Sequence, residues 1–383
     1  MFVKTIRKSS LQTGALLFVI LGAGAALLTW PQAAAAGVSR GLSICSTVVI
    51  PSLFPFLVLA GFLIRSGVSN ALGRRLERPV RFLFGLPGCC AAGILVGFVG
   101  GYPAGGTAVG ELVRRGDITR AEGRRMLRFC VNGGPAFVIS AVGAGMLGDV
   151  RYGALLFAAH IFAALLIGLA GRLFDRDKGR EADTQPQTAG DKMGAAAAFV
   201  ESVNAACRSL LYMCGFVVLF AALLAVSDGS GLTETVNRFI AAPFSLTDAD
   251  TSGLACLFPC LLEVSCGCVD AAGTGAAAPL LLGMAMGWGG LSVHCQLAAI
   301  LHGQQLMGKG FFAARAVHAM LGGLLSVMLF RWAPIAITTF SPSSDAVLVP
   351  YTTSATASVA LLIMCAMLLF VTAGRFPRRS GDD

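Results

Sequence analysis

Residues 86–110 read LPGCCAAGILVGFVGGYPAGGTAVG. The stretch is uncharged and apolar, yet eight of its 25 residues are glycine and Gly100-Gly101-Tyr102-Pro103 lies near its middle. Proline removes a backbone donor, and glycine weakens the helix on either side. A simple membrane-crossing helix would not carry that sequence at mid-depth. The flanks show what the stretch does instead. Arg65 to Arg81 holds five Arg and one acidic residue, and Glu111 to Arg128 holds six Arg and three acidic residues. Basic flanks stay on the cytoplasmic side. One crossing would put one flank outside, whereas a hairpin entering and leaving by the same face satisfies both. The sequence therefore predicts a broken, re-entrant hairpin.

Composition agrees with a membrane chain. Of 383 residues, 56% are hydrophobic and 13% charged, against about 25% charged in soluble domains. Mean hydropathy is +0.76. The net charge of +9 comes from Arg clusters beside apolar runs, which is a topology signal and not a nucleic-acid footprint. The 12 Cys lie mostly inside apolar runs without metal spacing, as reduced, small apolar residues do. Lys4, Arg7 and Lys8 precede an apolar run long enough to span, so the start reads as an uncleaved first helix.

Windows near 20 uncharged residues fall at 11–30, 41–64, 131–148, 152–171, 285–307 and 353–373. Two more, 203–226 with Arg208 and 311–330 with Arg315, place each Arg near a cytoplasmic end, where it is expected to snorkel to the headgroups. Residues 253–282 form a second interrupted stretch, with Glu263 and Asp270 around a glycine-rich break. The expected fold is all-α: about eight transmembrane helices plus two broken hairpins. Both termini are cytoplasmic in an inner membrane, the acidic loop 227–252 is outside, and a polar linker spans 174–194.

The halves share an order of elements: a span, a broken hairpin, then two spans. Gly133-Gly134 precedes Gly289-Gly290 by 156 residues. Three crossings per unit turn the second unit upside down, the signature of an inverted-repeat transporter. The expected boundaries are a first helix at 1–36, repeats at 37–173 and 201–335, a linker at 174–200, and a last helix with basic tail at 336–383.

Candidate site residues follow from the breaks. A carboxylate at helix centre costs roughly 2.5–3.5 kcal/mol on insertion scales, so Glu263 reads as a substrate or coupling-ion ligand, with H⁺ or Na⁺ as the ion. A structural pairing is the alternative. Asp270 joins it or caps the second half-helix. Gly101, Tyr102 and Pro103 line the first break or merely form a hairpin tip. Asn132 and Gly133 open the third span, with Asn132 presenting its amide or capping. Ser265 follows Glu263. Ser292 and Gln296 share a helix face, for substrate or as interhelical hydrogen-bonding groups. His160, His302 and His318 read as packing residues. With no hydrolase, protease or P-loop motif, the chain reads as a carrier of a small polar solute. It is not expected to be an enzyme, and neither cofactor nor metal is expected.

Ser52-Leu-Phe-Pro-Phe56, Gly101-Tyr-Pro-Ala-Gly105, Asn132 to Gly145, Leu262-Glu-Val-Ser265 with Gly267, and Gly287-Trp-Gly-Gly-Leu-Ser292 with Gln296 together resemble the sporulation integral membrane protein YlbJ (SpoVV) family. That family lies in the nucleoside-recognition Gate domain group. The resemblance covers about residues 45–335. It implies a distant relation to concentrative nucleoside transporters and a role in moving dipicolinic acid, a planar dianion, from mother cell towards forespore. It also implies an outer forespore membrane location, with a homo-oligomer or other sporulation membrane proteins as partners. One departure is Gly105-Gly106-Thr107 after Tyr-Pro-Ala, where the family pattern carries a small residue and Lys. A nucleoside-type carrier and a non-transporting envelope scaffold are the competing readings.

The hairpin reading has a direct check. Single Cys residues at positions 75 and 115, in a Cys-free background, should both react with an impermeant maleimide from the cytoplasmic side. Labelling from opposite sides would make 86–110 a full span.

Overall fold

A computed structural model describes residues 14, 17, 18, 20–66, 68–174, 194–241 and 256–332. The basic N-terminus, the interior of the linker, the second part of the acidic loop with Asp248 and Asp250, the window 353–373 and the C-terminal basic tail lie outside the described residues. Every element among the described residues is helical.

The helices, in order, are α1 (Ile20–Thr29), α2 (Pro31–Ile44), α3 (Ile50–Arg65), α4 (Val68–Phe84), α5 (Cys90–Val99), α6 (Tyr102–Arg114), α7 (Arg120–Cys130) and α8 (Val150–Phe174). They continue with α9 (Ala195–Gly229), α10 (Leu232–Ala241), α11 (Leu257–Leu262), α12 (Val264–Ala272), α13 (Ala278–Trp288), α14 (Gly290–Ile300) and α15 (Lys309–Trp332). A π-helical segment, Cys45–Val49, joins α2 to α3, and another, Ala136–Met146, precedes α8.

Four runs are long and apolar enough to cross a membrane: Val150–Leu173, Ala195–Gly229, Gly275–Ile300 and Lys309–Trp332. At 35 residues, α9 is about 52 Å long, well beyond the ~30 Å of hydrocarbon. α15 shows how such a helix is built. Val317, Met320, Leu324 and Met328 are exposed at i, i+3 and i+4 spacing, whereas Arg315, His318, Gly322 and Ser326 are buried. The apolar stripe faces outward and the polar and small residues face the protein, the reverse of a soluble helix.

The first interrupted stretch folds as a helical hairpin. Its turn is Gly100–Gly101, with Gly101 at φ +86°, a value that favours glycine. Proline at the start of α6 removes only a donor that a first turn leaves orphaned anyway. The arms are antiparallel and nearly touch. A Cβ on Gly105 would lie 3.1 Å from Gly97 Cα and 2.0 Å from Cys130 O. At the open end, Cys89 Sγ donates to Asp117 O (3.6 Å), so the chain comes back to where it started. The basic flanks are amphipathic helices. α7 starts with a capping box between Thr119 and Glu122 and buries Met126, Leu127, Phe129 and Cys130.

In the second stretch the break is Glu263 itself. This one extended residue (φ −142°, ψ 122°) separates α11 from α12. Gly267 permits the fold-back, because a Cβ there would lie 2.5 Å from Cys260 Cα.

Two windows expected as full spans are not single helices. Residues 285–307 are interrupted at Gly289 and Gly290, both with left-handed φ (+87° and +77°), and helix α14 ends at Ile300. Window 131–148 opens with four non-helical residues, Val131–Gly134. Absence of charge marks a stretch as apolar, but it carries no information about a glycine's φ.

Two helix pairs run antiparallel. Along α2–α3 and α9, a Cβ on Gly37 would meet Ala221 O, one on Gly41 would meet Val218 Cα and one on Gly61 would meet Ser202 Cβ, while Cys45 Sγ donates to Cys214 O (3.8 Å). Numbers rise on one rod as they fall on the other. Between α8 and α15, Tyr152 stacks on Phe330 (5.4 Å) and His160 on His318 (4.4 Å), again in opposite directions.

The hairpin contact predicts opposite outcomes at two glycines. Gly105→Ala should destabilise the protein by about 1–3 kcal/mol through overpacking. Gly171→Ala, with nothing within 4 Å of its new methyl, should be neutral or stabilise by up to ~1 kcal/mol. Thermal melting in detergent separates the two.

Candidate functional site

Every interrupted helix leaves backbone groups unpaired at its ends. In an apolar interior each orphan costs about 1–3 kcal/mol, so the partners of these groups identify the organising side chains. The last carbonyls of α13 are all taken. Ala285 O accepts from Gly289 N–H (2.8 Å). Met286 O accepts from the Tyr102 hydroxyl (2.7 Å). Gly287 O accepts from Arg315 Nε (2.9 Å) and Nη2. Trp288 O pairs with His294 Nε2 (3.1 Å).

Arg315 does not snorkel. It is 1% exposed, with Nη1 donating to Val131 O and Nη2 to His318 Nδ1 (2.7 Å). Arginine has no acceptor, so His318 Nδ1 accepts. The His318 proton is then on Nε2, which donates to His160 O (3.0 Å). His160 Nε2 in turn accepts from Gly133 N–H (3.0 Å). One buried cation thus ties the non-helical segment at Val131 to the end of α13. The sequence signal was the i, i+3 pair Arg315 and His318 on one helix face; reading the Arg by its distance from the window end overlooked it.

The breaks meet. A Cβ on Gly134 would lie 3.0 Å from Gly101 N, and one on Gly290 would lie 3.0 Å from Val264 N and 3.2 Å from Glu263 Cα. Beside them is a cleft whose walls include Gly101, Tyr102, Pro103, Glu263, Ser265 and Gln296. Gly134, Leu53, Phe137 and Met213 complete much of the rest. Glu263 is 1% exposed. Its Oε2 accepts from Cys266 N–H (2.8 Å), capping α12, and its Oε1 accepts from the Ser292 hydroxyl (3.4 Å). The N-terminus of α6 also abuts the cleft and has no side-chain cap. Such ends favour anions.

The expected residues divide accordingly. Gly101, Tyr102, Pro103, Glu263, Ser265 and Gln296 come together, and Ser292 stands behind Glu263. Tyr102 contributes its ring, since its hydroxyl is committed to Met286 O. Asn132 Nδ2 donates to Phe129 O (2.7 Å) and so closes the end of α7, while Gly133 is held by His160; neither lines the cleft. Asp270 is apart. It is exposed near the C-terminal end of α12, about 10 Å along the axis from Glu263, and Glu263 takes the N-cap role. Among the described residues no His, Cys, Asp and Glu cluster suits a metal ion.

These features define a helical membrane protein whose interrupted helices meet beside a mainly apolar cleft that carries Glu263, Ser265 and Gln296 in its wall. The chain is 27% identical over 330 residues to the sporulation integral membrane protein YlbJ of Bacillus subtilis (strain 168), across 81% of this chain and 80% of that protein. The match supports the YlbJ family. No family model and no solved structure matches the chain.

Replacing Arg315 by Met should lower stability by about 2–5 kcal/mol, because two buried carbonyls lose their donor. Lys should recover part of this, as a point charge without the planar fork. Arg208→Met, at an exposed site, should change stability by less than ~0.5 kcal/mol. Equal melting temperatures for the two Met variants would contradict this role.

Proposed function

We propose that the protein is a secondary transporter of a small polar solute, an organic anion such as dipicolinate, bound in the cleft beside Glu263. The observation that carries this reading is the convergence of the four backbone interruptions, at Gly101, Gly133–Gly134, Glu263 and Gly289–Gly290, around a cleft walled by a buried carboxylate. Irregular backbone at membrane depth survives where it lines a cavity, and paired breaks are where such carriers bind substrate. The antiparallel pairing of α2–α3 with α9, and of α8 with α15, supports an inverted repeat with units at 37–173 and 201–335. Cys89 meeting Asp117 supports re-entry of the first hairpin from one face. The protein acts as a carrier and not as an enzyme, in the inner membrane or the outer forespore membrane, with both termini cytoplasmic.

Anion binding beside a carboxylate needs charge compensation. The uncapped α6 N-terminus provides part of it. A coupling ion, H⁺ on Glu263 or Na⁺ beside it, provides the rest. A second reading has its own support: among the described residues no Lys or Arg lines the cleft, and Tyr102, Ser265 and Gln296 are neutral. That suits an uncharged solute of nucleoside type.

The test is uptake into proteoliposomes of dipicolinate, uridine and a simple dicarboxylate. Saturable dipicolinate flux, falling at least tenfold in Glu263→Gln while the protein still inserts, is the expected result. Uridine flux alone replaces the substrate. No flux from correctly inserted protein returns the chain to a scaffold role.

A further inference from the structure

A second, small cavity lies between α3, α6 and α9. It continues the seam that carries the cleft. Along the π-helical segment and α3 the cleft touches Val49 and Leu53, and the cavity touches Leu57, Gly61 and Arg65. On α6 the cleft touches Tyr102 and Pro103, and the cavity touches Ala104, Thr107, Ala108 and Glu111. On α9, Val217 and Met213 give way to Ser209, Ala206 and Ala205. Each step advances by about one helical turn in the same direction. Between the two spaces, Leu53, Leu57, Leu210 and Met213 belong to a single buried apolar cluster, and Leu210 is fully buried.

The cavity ends at charged groups. Arg65 folds back over Gly61, its Nη1 lying 2.7 Å from where a Cβ on Gly61 would sit; any side chain at 61 would displace it. Glu111 is turned to an ion pair with Arg114. Midway, Thr107 Oγ1 is buried with no hydrogen-bond partner among the described residues, a polar group placed where a passing solute or water would satisfy it. Arg65 and Glu111 border the two Arg-rich flanks, which mark this end as cytoplasmic.

We propose that this cavity is the cytoplasmic inlet to the Glu263 cleft. Arg65 selects small organic anions at its mouth, and the Leu53–Leu57–Leu210 cluster is the closed gate between inlet and cleft. The inference rests on the transport reading for its purpose, but its geometry can be tested without flux.

Cys at position 107 or 209, one at a time in a Cys-free background, should react with impermeant methanethiosulfonates from the cytoplasmic face and not from the other. The negatively charged sulfonatoethyl reagent should react about tenfold faster, relative to the trimethylammonium reagent, than it does in Arg65→Gln. Arg65→Lys should keep the preference, which a purely structural Arg would not require. No reaction at either position, or reaction from the opposite face, overturns the inlet. A preference unchanged in Arg65→Gln overturns the role of Arg65. Solute flux without cytoplasmic labelling removes the inlet and leaves the transporter, whereas labelling without flux of any solute keeps the inlet and removes the transporter.

Discussion

The C-terminal end of α13 is the constraint on which the rest depends. A helix that stops inside the protein exposes carbonyl oxygens that water cannot reach. Here Tyr102, Arg315 and His294 supply the missing donors. They come from three different helices, so closing one helix end also fixes the first hairpin, α14 and α15 against it. Arg315 goes further and holds Val131 O with the same guanidinium. The arrangement at Val131–Gly134 is therefore coupled to that at Gly287–Gly290 through a buried cation whose charge is met by carbonyl dipoles.

From this follows the shape of the site. Once the helix ends are satisfied by side chains behind them, the faces of the breaks turned towards α3 and α9 are left to line a cleft. Glu263 serves both purposes, capping α12 with one oxygen and standing in the cleft wall. Ser292 and Asn132 do structural work around it. This separates residues that build the breaks from residues that would meet a solute: Gly101, Pro103, Ser265, Gln296 and the ring of Tyr102.

Much of this was legible in the sequence. Gly-Gly-Tyr-Pro specifies a break between two helices by elementary backbone arguments. Glu263 was conspicuous because a carboxylate in an apolar run is costly. The break at Gly289 was hidden, since two glycines in an uncharged window resemble any close helix contact until their φ values are seen. Arg315 was misread because distance along the chain from an apolar boundary does not say which face of the helix it occupies. Asp270 was grouped with Glu263 by proximity in sequence, whereas seven residues of helix separate them in space.

The most direct test of the central claim is an experimental structure of the membrane-embedded protein at saturating dipicolinate. Solute density is expected in the cleft, in contact with Gln296 and the start of α6 and within reach of Glu263, while Arg315 remains bound to the carbonyls of Gly287 and Val131. Solute bound elsewhere, or an Arg315 that has left those carbonyls to face lipid, would contradict that claim.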